Sequence, residues 1–168
     1  MNRPQAHEFG VFYQKYIDTV RDDVIAELEE QATTFSEFIL AIPPEKGDFA
    51  YAGGKWTVKE LVGHMIDTER IMAYRALRIG RNDKIPLPGF EENDFVANAH
   101  FADRSLESLA EEFKLVRQGN LVLFRTFDSD ELGRISTASN LPISTKALLF
   151  ICAGHLNHHK TILIERYF

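Results

Sequence analysis

The chain has 168 residues, of which 45% are hydrophobic and 26% charged, and its formal net charge is −6. These values indicate one globular domain over residues 1–168 and argue against nucleic-acid binding, because phosphate contacts need clustered Lys and Arg. The single cysteine excludes an intramolecular disulfide. Without an apolar signal core in MNRPQAHEFG or an apolar run of bilayer length, we expect a cytoplasmic protein with no membrane partner.

Helical periodicity marks four stretches of the chain, at about 23–41, 58–80, 106–126 and 145–165. Residues suited to cap them are Asp22 or Asp23, Thr57, Asp103 or Ser105, and Ser144. Thr57 and Glu60 have the spacing of a capping box, and Trp56 stands at the hydrophobic-staple position before it. Trp56 therefore has a structural explanation that requires no ligand.

No stretch alternates convincingly as a strand, so the pattern predicts an all-α four-helix bundle. The first 20 residues are predicted to form a short helix that packs onto it. Two long connections, 82–103 and 128–143, join the main helices. Connections of such length are more often functional than incidental. In the first of them, polar candidates for contact with a substrate are Asn93, Asp94 and Asn98.

Three of the six histidines fall in the segment GHLNHHK, residues 154–160. At about 100° per residue, His155 and His159 share the apolar face of the fourth helix, and His158 lies to one side. Two imidazoles one turn apart can bind the same divalent metal ion. The HxxxH spacing alone is a weak signal, however, because a buried histidine is more often simply hydrogen-bonded in the core.

His64 offers a third metal ligand, because it lies mid-way along the apolar side of the second helix. Three unpartnered histidines in one core would each carry a desolvation penalty, which a shared cation relieves. Asp67 is one turn further along and could orient a ligating imidazole or transfer a proton. Glu69 points away from His64, so we expect it to pair with an arginine such as Arg70, Arg75 or Arg78.

The segments KWTVKELVGHMIDTERIMAYRALRIGR, PLPGF and AGHLNHHKTILIERY resemble the DinB-like superfamily, specifically its YfiT-like metal-dependent hydrolases. The resemblance extends from about residue 13 to the end of the chain. It implies a bundle in up-down-down-up order, often a homodimer. It also implies a divalent metal, commonly zinc or nickel, on His64, His155 and His159. Relatives include transferases that use a low-molecular-weight thiol, which would then be a second cofactor.

Three nitrogen ligands leave a coordination position open, as catalytic metal sites do. We therefore expect a metal-dependent enzyme with a small-molecule substrate, either a hydrolase that activates water or a thiol S-transferase. Two alternatives stay open: a non-catalytic stress-response module that binds a metal or small ligand, and a metal-free bundle with ordinary core histidines. Cys152 lies near the histidine stripe, but a core role is the stronger expectation for it.

Overall fold

The computed structural model describes residues 1–168 and contains seven α-helices. They are α1 (Gln14–Ile17), α2 (Val24–Leu40), α3 (Val58–Gly80), α4 (Glu92–Asn98), α5 (Leu106–Phe124), α6 (Ser129–Gly133) and α7 (Thr145–Ile162). The four long helices α2, α3, α5 and α7 coincide with the four predicted stretches. A π-helical turn, Leu163–Tyr167, follows α7. None of the helices is both long enough and apolar enough to cross a membrane.

The long helices begin at residues that the sequence predicts as caps. The side chains of Asp23, Thr57, Ser105 and Ser144 each accept a hydrogen bond from the backbone N–H three residues on. Glu60 completes the capping box, because its Oε2 accepts the backbone N–H of Thr57 at 2.7 Å. The start of α3, and with it the direction of each α3 side chain, is therefore set locally.

Contacts between α2 and α5 show that these helices are antiparallel. Ser36, in the last part of α2, donates to the carbonyl of Ala110, in the first part of α5. Glu29, nearer the start of α2, pairs with Arg125, just beyond the end of α5. Crossed pairings of this kind require opposite helix directions.

The direction of α3 follows from contacts at its two ends. Lys59 donates to the carbonyl of Ala102, just before α5, and Gly80 packs against the Phe127 ring, just after α5, so these helices are parallel. By contrast, α3 and α7 are antiparallel. His64 of α3 meets His159 of α7, while Glu69, further along α3, lies beside Cys152, which comes earlier in α7. The order of the four long helices is therefore up-down-down-up, as predicted.

The short helices α4 and α6 and a two-stranded hairpin lie in the two connections and are not predicted by the sequence patterning. β1 (Ile135–Ala138) pairs antiparallel with β2 (Leu141–Ser144), and all of the hairpin except Ser144 lies in the connection 128–143. Ser139 and Asn140 form the turn with φ of 52° and 62°, as a two-residue type I′ hairpin requires. The backbone of Leu87 bonds to the hairpin on both sides of Ala138. This pairing brings the hairpin turn to the side of α3.

A polar network crosses the interior of the bundle. Arg117 of α5 is fully buried and bonds to Glu69 of α3 through two parallel contacts of 2.6 and 2.7 Å. Its Nη1 also donates to Gln31 of α2, whose amide in turn donates to Asn157 of α7. The prediction that Glu69 pairs with Arg70, Arg75 or Arg78 is wrong. Glu69 faces the interior, where the neighbouring helix supplies the arginine.

Candidate metal centre

Three histidine side chains meet where α3 packs against α7. The Nε2 of His155 lies 3.2 Å from Nε2 of His64 and 3.0 Å from Nε2 of His159. One nitrogen from each ring lies within 4.8 Å of the other two. The structure thus brings together the residues that helical spacing and the family resemblance select. His64 belongs to α3, and the other two stand one turn apart on α7.

The spacing of these nitrogens suits a single cation. Nitrogen ligands at 2.0–2.1 Å from a tetrahedral ion lie about 3.3 Å apart, close to the two short distances above. The Nε2 of His155 contacts two other Nε2 atoms, and a neutral imidazole nitrogen has either one proton or one lone pair to offer. A cation that accepts lone pairs from all three rings resolves this conflict. The three side chains therefore fit a divalent metal ion.

Burial keeps the three imidazoles in the neutral form that metals bind. His64 and His155 are only 4% and 8% exposed. Desolvation lowers the pKa of His64 to about 4 and that of His159 to about 3. The pKa of His155 falls well below its ordinary value, again through burial and then through its two neighbouring rings. At neutral pH no proton has to leave these nitrogens before a metal binds.

Two neighbours of the cluster do not join it. His158 lies to one side, where its ring contacts Tyr16 and His159 at centroid distances of 5.2 and 5.0 Å. Cys152, expected as a core residue, is 4% exposed within the larger apolar cluster, and burial raises the pKa of its thiol well above the ordinary value. A thiol held protonated in this way is a poor metal ligand.

Asp67, the carboxylate expected to orient a ligand, is not brought to the histidines. Its side chain lies 3.7 Å from Arg70 on the same helix, in a surface group that also contains Arg104 and Glu112. No imidazole nitrogen is within ion-pair or hydrogen-bonding distance of it. Partial burial raises the pKa of Asp67, and the positive charge of Arg70 opposes that rise.

The carboxylate beside the cluster is instead Glu92 of α4. Its Oε2 lies 3.9 Å from Nε2 of His64, and its side chain is 54% exposed. Partial burial, followed by the charge of Glu91, raises its pKa. The polar candidates expected in this segment are Asn93, Asp94 and Asn98, and Glu92 is not among them. No motif marks it, because its place depends on how α4 folds back over α3.

Two cavities meet at the cluster. The larger, of about 450 Å³, has a size typical of small-molecule sites, and its wall includes Tyr16, His158 and Arg75. The smaller, of about 240 Å³, is walled by the aromatic rings of Tyr51, Trp56 and Tyr167. Both are lined by His159 and Glu92. The metal position is therefore reachable from two sides.

Trp56 has a second role beside its place at the start of α3. Its ring lies 4.7 Å from the His64 ring, and its carbonyl accepts a hydrogen bond of 2.7 Å from the Tyr167 hydroxyl. The tryptophan thus supports a ligating imidazole and forms a wall of the smaller cavity. The expectation that Trp56 serves only to begin α3 is therefore incomplete.

Tyr16 is held over the cluster by a close contact between helices. A Cβ at Gly154 of α7 would overlap the backbone carbonyl of Tyr16, so only glycine lets α1 approach this closely. The Tyr16 ring then meets the His155 ring edge-on at 5.5 Å. Burial, with Glu92 and Tyr13 nearby, raises the pKa of the Tyr16 phenol to about 12. The phenol stays protonated and can donate a hydrogen bond into the cavity.

The fold is similar to that of a solved structure, YfiT from Bacillus subtilis, with a TM-score of 0.70 at 17% sequence identity. The match covers 98% of this chain and 91% of that chain. YfiT is described as a probable metal-dependent hydrolase with an unusual four-helix bundle topology. No curated protein sequence matches the chain.

The model of the DinB superfamily matches residues 15–163, which include all four long helices and the three clustered histidines. A match of this extent shows the family that the sequence motifs suggest. The chain belongs to the DinB superfamily.

Proposed function

We propose that this chain is a metal-dependent hydrolase of small-molecule substrates, with a divalent cation bound by His64, His155 and His159. The observation that carries the proposal is the convergence of three neutral imidazoles, two buried and one partly buried, at the meeting point of two cavities. Imidazole ligands favour zinc or nickel over magnesium and calcium. The description of YfiT as a probable metal-dependent hydrolase supports the same reaction class.

When bound, the cation supplies Lewis acidity, which lowers the pKa of a ligated water or thiol toward neutrality. The chain provides the groups around it. Glu92 is placed to accept a proton from a nucleophile that enters beside His64, and its raised pKa suits a proton acceptor that later returns the proton. Tyr16 stays protonated and can donate to a substrate oxygen that gains negative charge.

Transfer of a low-molecular-weight thiol to an electrophile is the second candidate. The two cavities favour it, because a transferase must hold two substrates at once, while a hydrolase needs only one site besides water. The three rings that line the smaller cavity could enclose one substrate, and the larger cavity could hold the other. The histidine ligands serve either reaction equally, so turnover has to separate them.

A turnover screen of zinc- and nickel-loaded protein tests the proposal. One half of the screen contains esters and amides, and the other half contains thiols with an electrophilic acceptor. We expect hydrolysis of at least one ester or amide, with loss of that activity in His64→Ala. His7→Ala is the matched control, because His7 is an exposed histidine outside the centre.

The other outcomes separate the alternatives. Turnover that needs a thiol and an electrophile would favour the transferase. Stoichiometric metal without any turnover, combined with a lower melting temperature in His64→Ala, would favour a non-catalytic metal-binding module. A preparation that holds no stoichiometric divalent ion after metal loading would overturn the proposal and leave ordinary core histidines.

A further inference from the structure

Arg75 of α3 is a buried cation in the wall of the larger cavity, at only 3% exposure. Its Nη2 donates to the carbonyl of Pro88 at 2.8 Å and to the hydroxyl of Ser139 at 3.0 Å. Its Nη1 contacts the sulfur of Met72 at 3.7 Å. None of these partners carries a negative charge. A guanidinium stays protonated at physiological pH, so this charge is buried without compensation.

The other deeply buried arginine shows how this bundle treats such a charge when it is structural. Arg117 is bonded through two nitrogens to the carboxylate of Glu69, which is itself 4% exposed. Glu69 balances the charge of the guanidinium, and Gln31 accepts a hydrogen bond from its remaining nitrogen, Nη1. Arg75 has no equivalent carboxylate. A structural explanation therefore accounts for Arg117 and leaves the charge of Arg75 unexplained.

The acidic groups of the same cavity do not neutralise Arg75. Glu91 and Glu92 are exposed to water, and neither forms an ion pair with it. Glu91 instead bonds to Asn93 at the start of α4. One face of the guanidinium stacks on the Phe90 ring at 5.8 Å from its centroid. The Pro88 carbonyl, the Ser139 hydroxyl, this ring and the adjacent Tyr13 side chain hold Arg75 in place, and none of them supplies a carboxylate.

Arg75 and the metal centre lie along one face of α3 that lines the cavity. His64, Thr68, Met72 and Arg75 follow one another at helical spacing, and all four belong to its wall. Arg75 is eleven residues after His64, which corresponds to about 16 Å along the helix axis. The two side chains reach across part of this distance, so the gap between them is shorter. Between them, the hydroxyl of Thr68 is buried and has no hydrogen-bond partner. Buried hydroxyls normally have a hydrogen-bond partner, so Thr68, like Arg75, lacks a partner that a bound ligand could supply.

We propose that Arg75 binds a carboxylate of the substrate, with Thr68 donating to a polar atom between that carboxylate and the metal centre. The substrate is then a small carboxylic acid whose reactive ester or amide group lies several bonds from the free acid. Arg and carboxylate are complementary because the planar guanidinium can donate two parallel hydrogen bonds. This inference rests on the proposed function and specifies the substrate class of the same cavity.

The test uses adipate, a dicarboxylate that can place one carboxylate at the metal and the other at Arg75. Succinate and suberate cover shorter and longer spans, and adipamide is the neutral probe of equal length. Affinities are measured by titration calorimetry on zinc-loaded wild type and Arg75→Met. We expect the best dicarboxylate to bind Arg75→Met at least about tenfold more weakly than wild type, since bonds to charged groups are the strong ones. Adipamide affinity should not change.

Arg78→Met is the matched control, because Arg78 is on the same helix but pairs with Asp83 outside the cavity. It should keep the wild-type affinity for the dicarboxylate. Arg75→Lys guards against misfolding of the methionine variant, because it keeps the charge and loses the planar fork. We expect intermediate binding from it. Equal dicarboxylate affinities in wild type, Arg75→Met and Arg75→Lys would overturn the inference.

A carboxylate could also belong to a thiol co-substrate, so 6-mercaptohexanoate and hexanethiol form a separate arm. Dependence on Arg75 for the mercapto acid alone would overturn the assignment to a hydrolysable substrate. Zinc content is measured for every variant. Wild type without stoichiometric zinc would contradict the proposed function, whereas the effect of Arg75→Met on dicarboxylate affinity would still decide the inference.

Discussion

The Nε2 atoms of His64 and His155 lie 3.2 Å apart although 91 residues separate them in the chain. Because each ring offers a ligand to the same point, His64→Ala should lower the affinity for Zn²⁺ by more than about a hundredfold. Loss of a residue that only orients a ligand already lowers metal affinity by about 10–100-fold. Competition with a chromophoric chelator measures the change.

His158→Ala is the matched control for this prediction. His158 is also a histidine of α7 and adjoins His159, but it lies outside the group of converging nitrogens. We expect its affinity for Zn²⁺ to stay within a few-fold of wild type. Similar losses in His64→Ala and His158→Ala would contradict the assignment of ligands.

Much of the fold follows from local signals in the sequence. The capping box at Thr57 and Glu60 sets the start of α3, and helical periodicity alone places His155 and His159 on one face of α7. The hairpin was missed because each strand has only four residues, and β1 pairs further with Leu87, which is distant in the chain. Strands this short show no reliable alternation.

The remaining parts of the site depend on tertiary packing. Asp67 is close to His64 in the sequence, whereas Glu92 is close to it in space. Helical spacing can select a neighbour on the same helix, such as Asp67, but not a residue from another helix, such as Glu92. The pairing of Glu69 with Arg117 rather than with a same-helix arginine has the same cause, since it needs the register between α3 and α5. Side chains supplied by another element are invisible to periodicity.

Glu92→Gln should lower kcat by about 10²–10⁴-fold if Glu92 accepts a proton in the reaction. The carboxylate is 3.9 Å from His64 but is not one of the three converging ligands, so we expect Zn²⁺ affinity to change little. Steady-state kinetics on a substrate from the turnover screen gives the first quantity, and chelator competition gives the second.

Asp67→Asn provides the comparison for Glu92→Gln. Asp67 belongs to the surface group with Arg70 and Glu112, so its loss should change kcat by less than about threefold. A large fall in kcat for Asp67→Asn with an unchanged value for Glu92→Gln would reverse the roles assigned to these two carboxylates.

The stability of the metal-free protein should fall in mild acid. An unfolded histidine has a pKa near 6.5, whereas folded His64 and His159 have values of about 4 and about 3. Between these values the unfolded chain binds more protons, so the free energy of unfolding decreases as pH falls. The contribution of the neutral histidines is complete above pH 6.5 and is lost progressively below it.

Each of these histidines should change the free energy of unfolding by up to about 1.4 kcal/mol per pH unit. Urea unfolding of metal-free protein at a series of pH values between about 7.5 and 5 measures the slope. His64→Gln removes one titrating group, and its slope should be smaller by up to about one proton. Identical slopes for wild type and His64→Gln would show that this histidine is not buried in its neutral form.

Gly154→Ala should destabilise the protein by about 1–3 kcal/mol, because the new methyl group overlaps the Tyr16 carbonyl and the backbone of α1 has to move. Gly119→Ala is the matched substitution, since Gly119 is an exposed glycine within α5 and has no atom within 4 Å of an added Cβ. It should stabilise the protein by about 0.5–1 kcal/mol through helix propensity alone. Urea unfolding of the two variants therefore gives shifts of opposite sign.

Because α1 also holds Tyr16 over His155, Gly154→Ala should in addition lower kcat on a substrate from the turnover screen, while Gly119→Ala leaves it unchanged. A stabilised Gly154→Ala protein would mean that α1 does not pack against α7 at this glycine.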